Sequence, residues 1–286
     1  MEKKEETYYR DLVYQASALS GCVRSSSYSY FLYARQFWRH FDKPPLQIND
    51  SDIAGYFYWL LRVKNVSSST LIVARTGVYY LYKGLGADRP CLKTIKAPKV
   101  TRHPELISQE DIKLLISKIE LPVFKMFFSL LQGTGLRLSE GLNLQTDDID
   151  GERLILKIRR GKGSKARIVP LPSSLYADLR LYWSRCLPPS PWLFSNPKTD
   201  APYTARTLQC VFLEVRKRCQ LKDGITIHTL RHSYATKLLE NGVHLKVLQK
   251  ILGHSSLNST MIYLHLSTRS FENAQEIIND IFKNEN

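Results

Sequence analysis

The stretch IHTLRHSYATKLLENG, residues 227–242, decides how the chain is read. It opens with His228 and Arg231, three residues apart and therefore on one face if the stretch is helical. Leu230, Tyr234 and Leu238 follow at helical spacing and form the expected buried stripe, with His228 and Arg231 off it. Asn241-Gly242 is a good stop, because glycine takes the left-handed conformation that ends helices. The start of such a helix also offers free N–H groups to an anion. His232 lies nearer the core side and reads as structural. Further on, His254 follows Gly253, and Tyr263 comes nine positions later. A zinc helix is not indicated, since His-Glu-x-x-His is missing and no acidic or cysteine cluster stands close by. These residue types suit a phosphate-handling site with a phenol beside it.

Upstream, Gly133-Thr134-Gly135-Leu136-Arg137-Leu138-Ser139-Glu140 places a glycine-rich turn before a short helix, without the Walker pattern of a nucleotide-binding loop. Arg137 is a permanently charged fork able to make two hydrogen bonds to one phosphate, and Glu140 is placed to orient it. An ordinary surface Arg–Glu pair is the simpler reading of that spacing taken alone. Strands are expected at Arg153–Arg159 and Ala166–Leu171, joined by a Gly161-Lys162-Gly163-Ser164 turn. Lys162 at that tip is positioned to swing into a cleft, where a lysine with a lowered pKa serves as a general acid. With 16 tyrosines in the chain, a tyrosine taken at random is packing. A phenol becomes a useful nucleophile only where cations and donors stabilise its charge.

The bulk numbers agree with such a site. The 286 residues are enough for two domains with their own cores. Lys and Arg total 41 against 26 Asp and Glu, a net charge of +15, which favours a polyanionic partner such as nucleic acid. No apolar run is long enough for a membrane span, and the charged start Met1-Glu2-Lys3-Lys4-Glu5-Glu6 is no signal peptide. The five cysteines, Cys22, Cys91, Cys186, Cys210 and Cys219, are scattered without a Cys-x-x-Cys pair. A reducing cytoplasm fits them best.

Residues 1–90 read as about four helices rich in aromatic residues. One spans Tyr28 to Phe41 and ends before Pro44-Pro45; the next is capped from Asp50-Ser51-Asp52; another follows Ser67-Ser68-Ser69-Thr70 and ends near Gly84 and Gly86. The segment Arg89–His103 carries Arg89, Lys93, Lys96, Lys99 and Arg102 with little periodicity and reads as a basic linker. A second domain opens at Ser108, whose spacing to Asp111 fits a capping box, and continues into an apolar helix at Val123–Leu131. From Ser173 onward the chain is again mainly helical, broken by a loop at Pro188–Pro191.

Taken in order, Arg137, Lys162, His228, Arg231, His254 and Tyr263 closely resemble the signature of the tyrosine recombinase (lambda-integrase-like) family, and the resemblance covers nearly the whole chain. Thr134–Leu144 is similar to its first arginine box, Gly161–Arg167 to its catalytic hairpin, His228–Gly242 and Leu252–Tyr263 to its second box, and residues 20–86 to its helical core-binding domain. The fold this implies is mainly α with a small antiparallel β-sheet (α+β). Residues 1–88 would be the core-binding domain, 89–104 a basic linker, and 105–286 a catalytic domain ending in an exchange helix.

The resemblance also implies a mechanism. Tyr263 attacks a DNA phosphodiester in line, forming a 3′-phosphotyrosyl link and freeing a 5′-hydroxyl. Arg137 and Arg231 clamp the non-bridging oxygens. Lys162 protonates the leaving oxygen, His228 takes the tyrosine proton or assists as acid or base, His254 donates to the phosphate, and Glu140 supports the arginines. No metal or other cofactor is implied, because the two guanidiniums supply the neutralisation that Mg²⁺ gives elsewhere. The implied partners are double-stranded DNA recombination sites and further copies of the chain, a tetramer on two sites, with accessory proteins open. The expected location is the nucleoid. The tail residues Phe271, Ala274, Ile277, Ile278, Ile281 and Phe282 fall on one helical side, expected to dock on a neighbouring protomer, with packing on its own domain as the alternative.

Two rivals stand beside this reading: a type IB topoisomerase-like enzyme, and a DNA-binding regulator without catalysis. The short chain and its N-terminal pattern favour recombination over relaxation, and six filled positions argue against decay. Since the chain starts close to the core-binding domain, a simple Xer-like, transposon-type or small phage enzyme is expected, without an arm-binding domain. An integron integrase ranks lower, for want of a long insertion.

Overall fold

The computed structural model describes residues 3–98, 105–159, 166–188 and 191–264. The chain divides into two compact units, Met1–Arg102 and His103–Asn286.

In the first unit, helices α1 (Lys3–Leu19), α2 (Arg24–Phe41), α3 (Asp50–Arg62) and α4 (Ser68–Gly84) surround one core. Phe37, Trp38, Ile53, Tyr56, Phe57, Val78 and Leu81 are buried in it, and rings pack edge to face, as Phe37 does on Tyr56 at 5.2 Å. The cap of α3 lies one residue earlier than its acidic start suggests. Asn49 accepts from Asp52 N at 2.8 Å while the Asp52 carboxylate accepts from Asn49 N, a reciprocal box. The stretch expected to be linker is packed over its first ten residues. A helical turn α5 (Cys91–Thr94) buries Leu92, and Ile95 and Ala97 lie against the core. Arg89 donates to Asp50 and to Ile48 O and covers the Tyr82 ring, while Arg75 donates to Ile95 O. A few apolar side chains without periodicity hold this segment, which is why composition alone reads as linker.

The second unit starts with α6 (Gln109–Ser117), capped by Ser108, which accepts from Asp111 N at 3.0 Å. Helix α7 (Pro122–Thr134) is its centre: Phe127, Phe128, Leu130 and Leu131 are all buried. After α8 (Leu138–Leu142) comes a three-stranded antiparallel sheet, β1 (Ile149–Asp150), β2 (Ile155–Ile158) and β3 (Arg167–Pro170), in that order, with Leu156 opposite Val169. Both of those side chains face the core. Then follow α9 (Ser173–Cys186), a ribbon of β4 (Ser195–Asn196) and β5 (Ala201–Pro202), and α10 (Ala205–Arg218). The mainly α fold with a small antiparallel sheet is as expected.

Three helices finish the described chain: α11 (Ile227–Glu240), α12 (Leu245–Leu252) and α13 (Asn258–Leu264). They share a small core of Ala235, Leu239, Leu248, Leu252 and the ring of Tyr263. Helix α11 is not the one-striped helix its leucines suggest. Thr229, Leu230, Arg231, Ser233, Ala235, Thr236 and Leu239 are all buried, whereas Tyr234 and Leu238 are only partly so. Small residues at Ser233, Ala235 and Thr236 let neighbours approach on several sides, which a hydrophobic-stripe reading does not register. Among the described residues no helix is long and apolar enough to cross a membrane. Lys162 and the tail from Phe271 lie outside the described residues.

Candidate active site

Arg137, Glu140, His228, Arg231, His254 and Tyr263 come together where α7, α8, α11, α12 and α13 meet, although over a hundred positions separate the first from the last. The ends of two helices hold the arginines. Arg231 is 1% exposed; its Nη1 donates to Gly135 O at 2.7 Å and its Nη2 to Leu252 O at 2.6 Å. Gly135 caps α7 with φ +64°, and a Cβ there would stand 2.3 Å from the Tyr234 ring. Gly253 caps α12 in the same conformation, and a Cβ there would meet Arg167 at 2.8 Å. Its carbonyl accepts from Arg137 Nη2 at 3.2 Å.

Glu140 ties this cluster together. Its carboxylate accepts from Arg137 N at 2.8 Å, from Arg137 Nη1 at 2.9 Å, and from both Nη atoms of Arg167 at 2.7 and 2.8 Å. Burial alone would raise the carboxyl pKa, yet the Arg167 fork and the Arg137 N–H outweigh it and hold it down to about 2. Arg167 also donates from Nε to Ile251 O at 2.7 Å. Three successive carbonyls at the end of α12, Ile251, Leu252 and Gly253, thus accept from Arg167, Arg231 and Arg137 in turn. A helix C-terminus is the electronegative end, so the placement suits three cations. The sequence reading missed Arg167, whose one signal is that it begins the strand after the Lys162 turn.

Two imidazoles flank the phenol, and a third packs on one of them. His254 lies parallel to the Tyr263 ring, centroids 6.0 Å apart, with its Nδ1 2.9 Å from Thr260 Oγ1. His228 meets His232 edge to face at 4.6 Å. His232, read from the sequence as structural, stands with Nδ1 3.1 Å from the Tyr263 oxygen. The neighbouring Arg231 obscured it, because a histidine so close to the buried side of a helix looks like packing. Burial first, and then the charges of His228 and Arg231, draws His232 down to about 4. His254 falls to about 4 through burial first and the charges of Arg231 and Arg137 next; His228 is lowered by the same causes. All three are therefore neutral at pH 7.

Tyr263 is 2% exposed. Burial pushes its pKa up, while Arg231 and Arg137 pull it back. Arg231 is itself drawn down to about 10, by burial first and the Arg137 charge second, and stays charged at neutral pH. Its Nε has no hydrogen-bond partner among the described residues. A buried donor left unpaired costs about 1–3 kcal/mol, which an anion in the cleft would recover. The arrangement offers a phenol, neutral proton acceptors and two guanidiniums, the parts of a metal-independent phosphoryl transfer.

Comparison with known proteins places the chain in context. Residues 105–269 match the phage integrase family, and residues 9–89 match the phage integrase N-terminal SAM-like domain. The tyrosine recombinase XerA of Pyrococcus furiosus is 35% identical over 225 residues, 77% of either chain. An integrase/recombinase of Escherichia coli is 31% identical over 281 residues, covering 83% of each. Among solved structures, a XerA recombinase matches at 28% identity with a TM-score of 0.54, over 94% of this chain and 97% of that one. A lambda integrase(75–356) dimer bound to a COC′ core site has the same fold, with a TM-score of 0.74 at 16% identity over 90% of this chain and 94% of that one.

Proposed function

The chain belongs to the phage integrase family, the tyrosine recombinases, and from that premise we propose that Tyr263 is the nucleophile with which it cleaves and rejoins DNA. It is a site-specific DNA recombinase. The observation that carries the role of Tyr263 is its surroundings. Its oxygen lies 3.1 Å from an imidazole nitrogen, beside the buried Arg231, whose Nε is unpaired among the described residues.

The residue roles follow from the contacts. Glu140 and the α12 carbonyls hold Arg137 and Arg231 without neutralising them fully, so both keep N–H groups for the non-bridging oxygens of the scissile phosphate. In the tautomer whose Nδ1 accepts from Thr260 Oγ1, 2.9 Å away, neutral His254 carries its proton on Nε2 and donates it to the phosphate. His228 stands at the exposed edge of the same cluster as an acid–base partner on the phosphate side. Lys162, between Ile158 and Arg167 in the sequence, protonates the departing 5′-oxygen. Attack by Tyr263 Oη forms the Oη–P bond and breaks P–O5′, leaving the 3′ end on the enzyme. The bond energy is kept, so the 5′-hydroxyl of another strand reverses the step and exchanges strands.

Residues 1–88 serve as the core-binding domain and 105–286 as the catalytic domain, clasping double-stranded DNA. Four copies act on two sites, joined by the apolar tail side at Phe271, Ile277, Ile278 and Ile281. A lambda integrase dimer is bound to its core site, which supports DNA binding by more than one copy. The test is a nicked duplex carrying the site protected in footprinting. Wild type is expected to form a covalent adduct that Tyr263→Phe does not; no wild-type adduct there would refute the reading. A chain cut after Ser270 should lose cooperative synapsis while still cleaving.

A further inference from the structure

The reading of Tyr263 as nucleophile leaves one question open at the site: where its proton goes. We propose that His232 is the general base of cleavage, a role resting on that reading. Of the three histidines in the cluster, His232 is the one whose ring nitrogen reaches the phenol oxygen, Nδ1 to Oη at 3.1 Å. His254 lies flat beside the Tyr263 ring with its Nδ1 engaged by Thr260. The described contacts of the His228 ring are with His232. Arg231, the other neighbour of the phenol, is a donor that cannot take a proton at working pH.

The fold holds this pair in place. His232 follows the buried Arg231 on α11, and Tyr263 is anchored by the shared core of α11, α12 and α13. The imidazole is neutral in the free protein, and in the tautomer with its proton on Nε2 the Nδ1 lone pair faces the phenol O–H. The groups that depress it besides burial are His228 and Arg231. A DNA phosphate entering between the arginines brings negative charge that offsets them and raises its basicity. As the Oη–P bond forms and P–O5′ breaks, the Tyr263 proton moves to His232 Nδ1, while the 5′-oxygen takes a separate proton from Lys162. In rejoining, the imidazolium returns its proton to the phenolate. His228 and His232, edge to face, then act on different atoms of one transfer.

The experiment measures single-turnover adduct formation at saturating protein on the nicked cognate duplex, with thermal unfolding and DNA affinity checked for each variant. His232→Ala is expected to slow adduct formation about 100-fold or more, in the range general-base loss brings, with affinity kept. His232→Asn, which can still accept a hydrogen bond but cannot take the proton, is expected to be nearly as slow. Replacing Tyr263 by a fluorotyrosine, whose phenol ionises more readily, should recover most of the loss in both variants. A 5′-bridging phosphorothiolate substrate, whose leaving group needs no acid, should not. Wild-type rates in His232→Ala, faster rates, full rescue by Asn, or equal slowing with tyrosine and fluorotyrosine would each overturn the role, the last two by showing that His232 only holds the ring. An adduct formed by Tyr263→Phe would instead overturn the nucleophile, and the role of His232 with it.

Discussion

At the scale of single residues, the site rests on Glu140 as much as on the arginines. Its carboxylate has a 5% exposed side chain and serves two guanidiniums, so it is ionised in the folded protein well below the pH at which a free carboxyl protonates. The folded pKa of about 2 against 4.5 means that stability from this group is fully present above pH 4.5 and is lost as pH falls toward 2. The shift corresponds to about 3 kcal/mol. Glu140→Gln is therefore expected to unfold at lower urea at pH 7, and the gap to wild type should close between about pH 4.5 and 2.5. Urea titrations of both proteins across that range measure it, and a gap independent of pH would contradict the assignment. Arg231→Lys tests the fork. One ammonium cannot serve Gly135 O and Leu252 O together and also face the phosphate, so adduct formation should fall about 100-fold or more with DNA affinity nearly kept. Arg137, Glu140, Arg231 and Tyr263 were singled out by the resemblance of their order to a family signature, not by spacing alone. The engagement of Arg167 and His232 was not legible, because each depends on a partner far away in sequence.

At the scale of elements, the C-terminus of α12 is the feature that no residue pattern reports. Three consecutive carbonyls act as acceptors for three arginines, and a carbonyl has no sequence signature. What could be read was the stop at Gly242; Gly135 and Gly253 likewise follow a helix, and all three have positive φ. These glycines are not equivalent. A Cβ at Gly242 meets nothing within 4 Å, while one at Gly253 meets Arg167. Both substitutions to alanine strain the backbone, at about 1 kcal/mol or somewhat more. Gly253→Ala must also displace Arg167 from Glu140 and Ile251 O. It is expected to slow adduct formation at least tenfold, whereas Gly242→Ala lowers the melting temperature and leaves the rate within about twofold. Equal rates in the two variants would show that the α12 end does not govern the arginines. The same contrast explains α11. Its two ends were legible, but its burial on several sides comes from small residues that only the packed structure reveals.

At the scale of the whole molecule, composition sets residues 89–104 apart but does not report the packing of Arg89, Leu92 and Ile95 on the first unit. The charge was plain from the start: a formal +15, spread over a chain that uses at least three of its arginines inside the second unit. Others, such as Arg35, Arg89 and Arg216, are paired with carboxylates, and DNA backbone contacts draw on the basic side chains outside such pairs. If six or more phosphates are contacted, log affinity against log salt should fall with a slope of about −5 or steeper. The chemistry should behave differently. On the proposed roles, a scissile phosphate held between Arg137 and Arg231 is weakly screened, so once protein saturates the site the adduct rate should hardly change with salt. It should also be unchanged by a chelator, because the two guanidiniums supply the charge that a metal would bring. Affinity measured over 50–200 mM salt, beside single-turnover rates at saturating protein with and without EDTA, separates the two effects. A rate that tracks salt as steeply as affinity would mean the arginines meet the phosphate at an exposed surface, and a rate abolished by EDTA would mean that they do not carry the neutralisation.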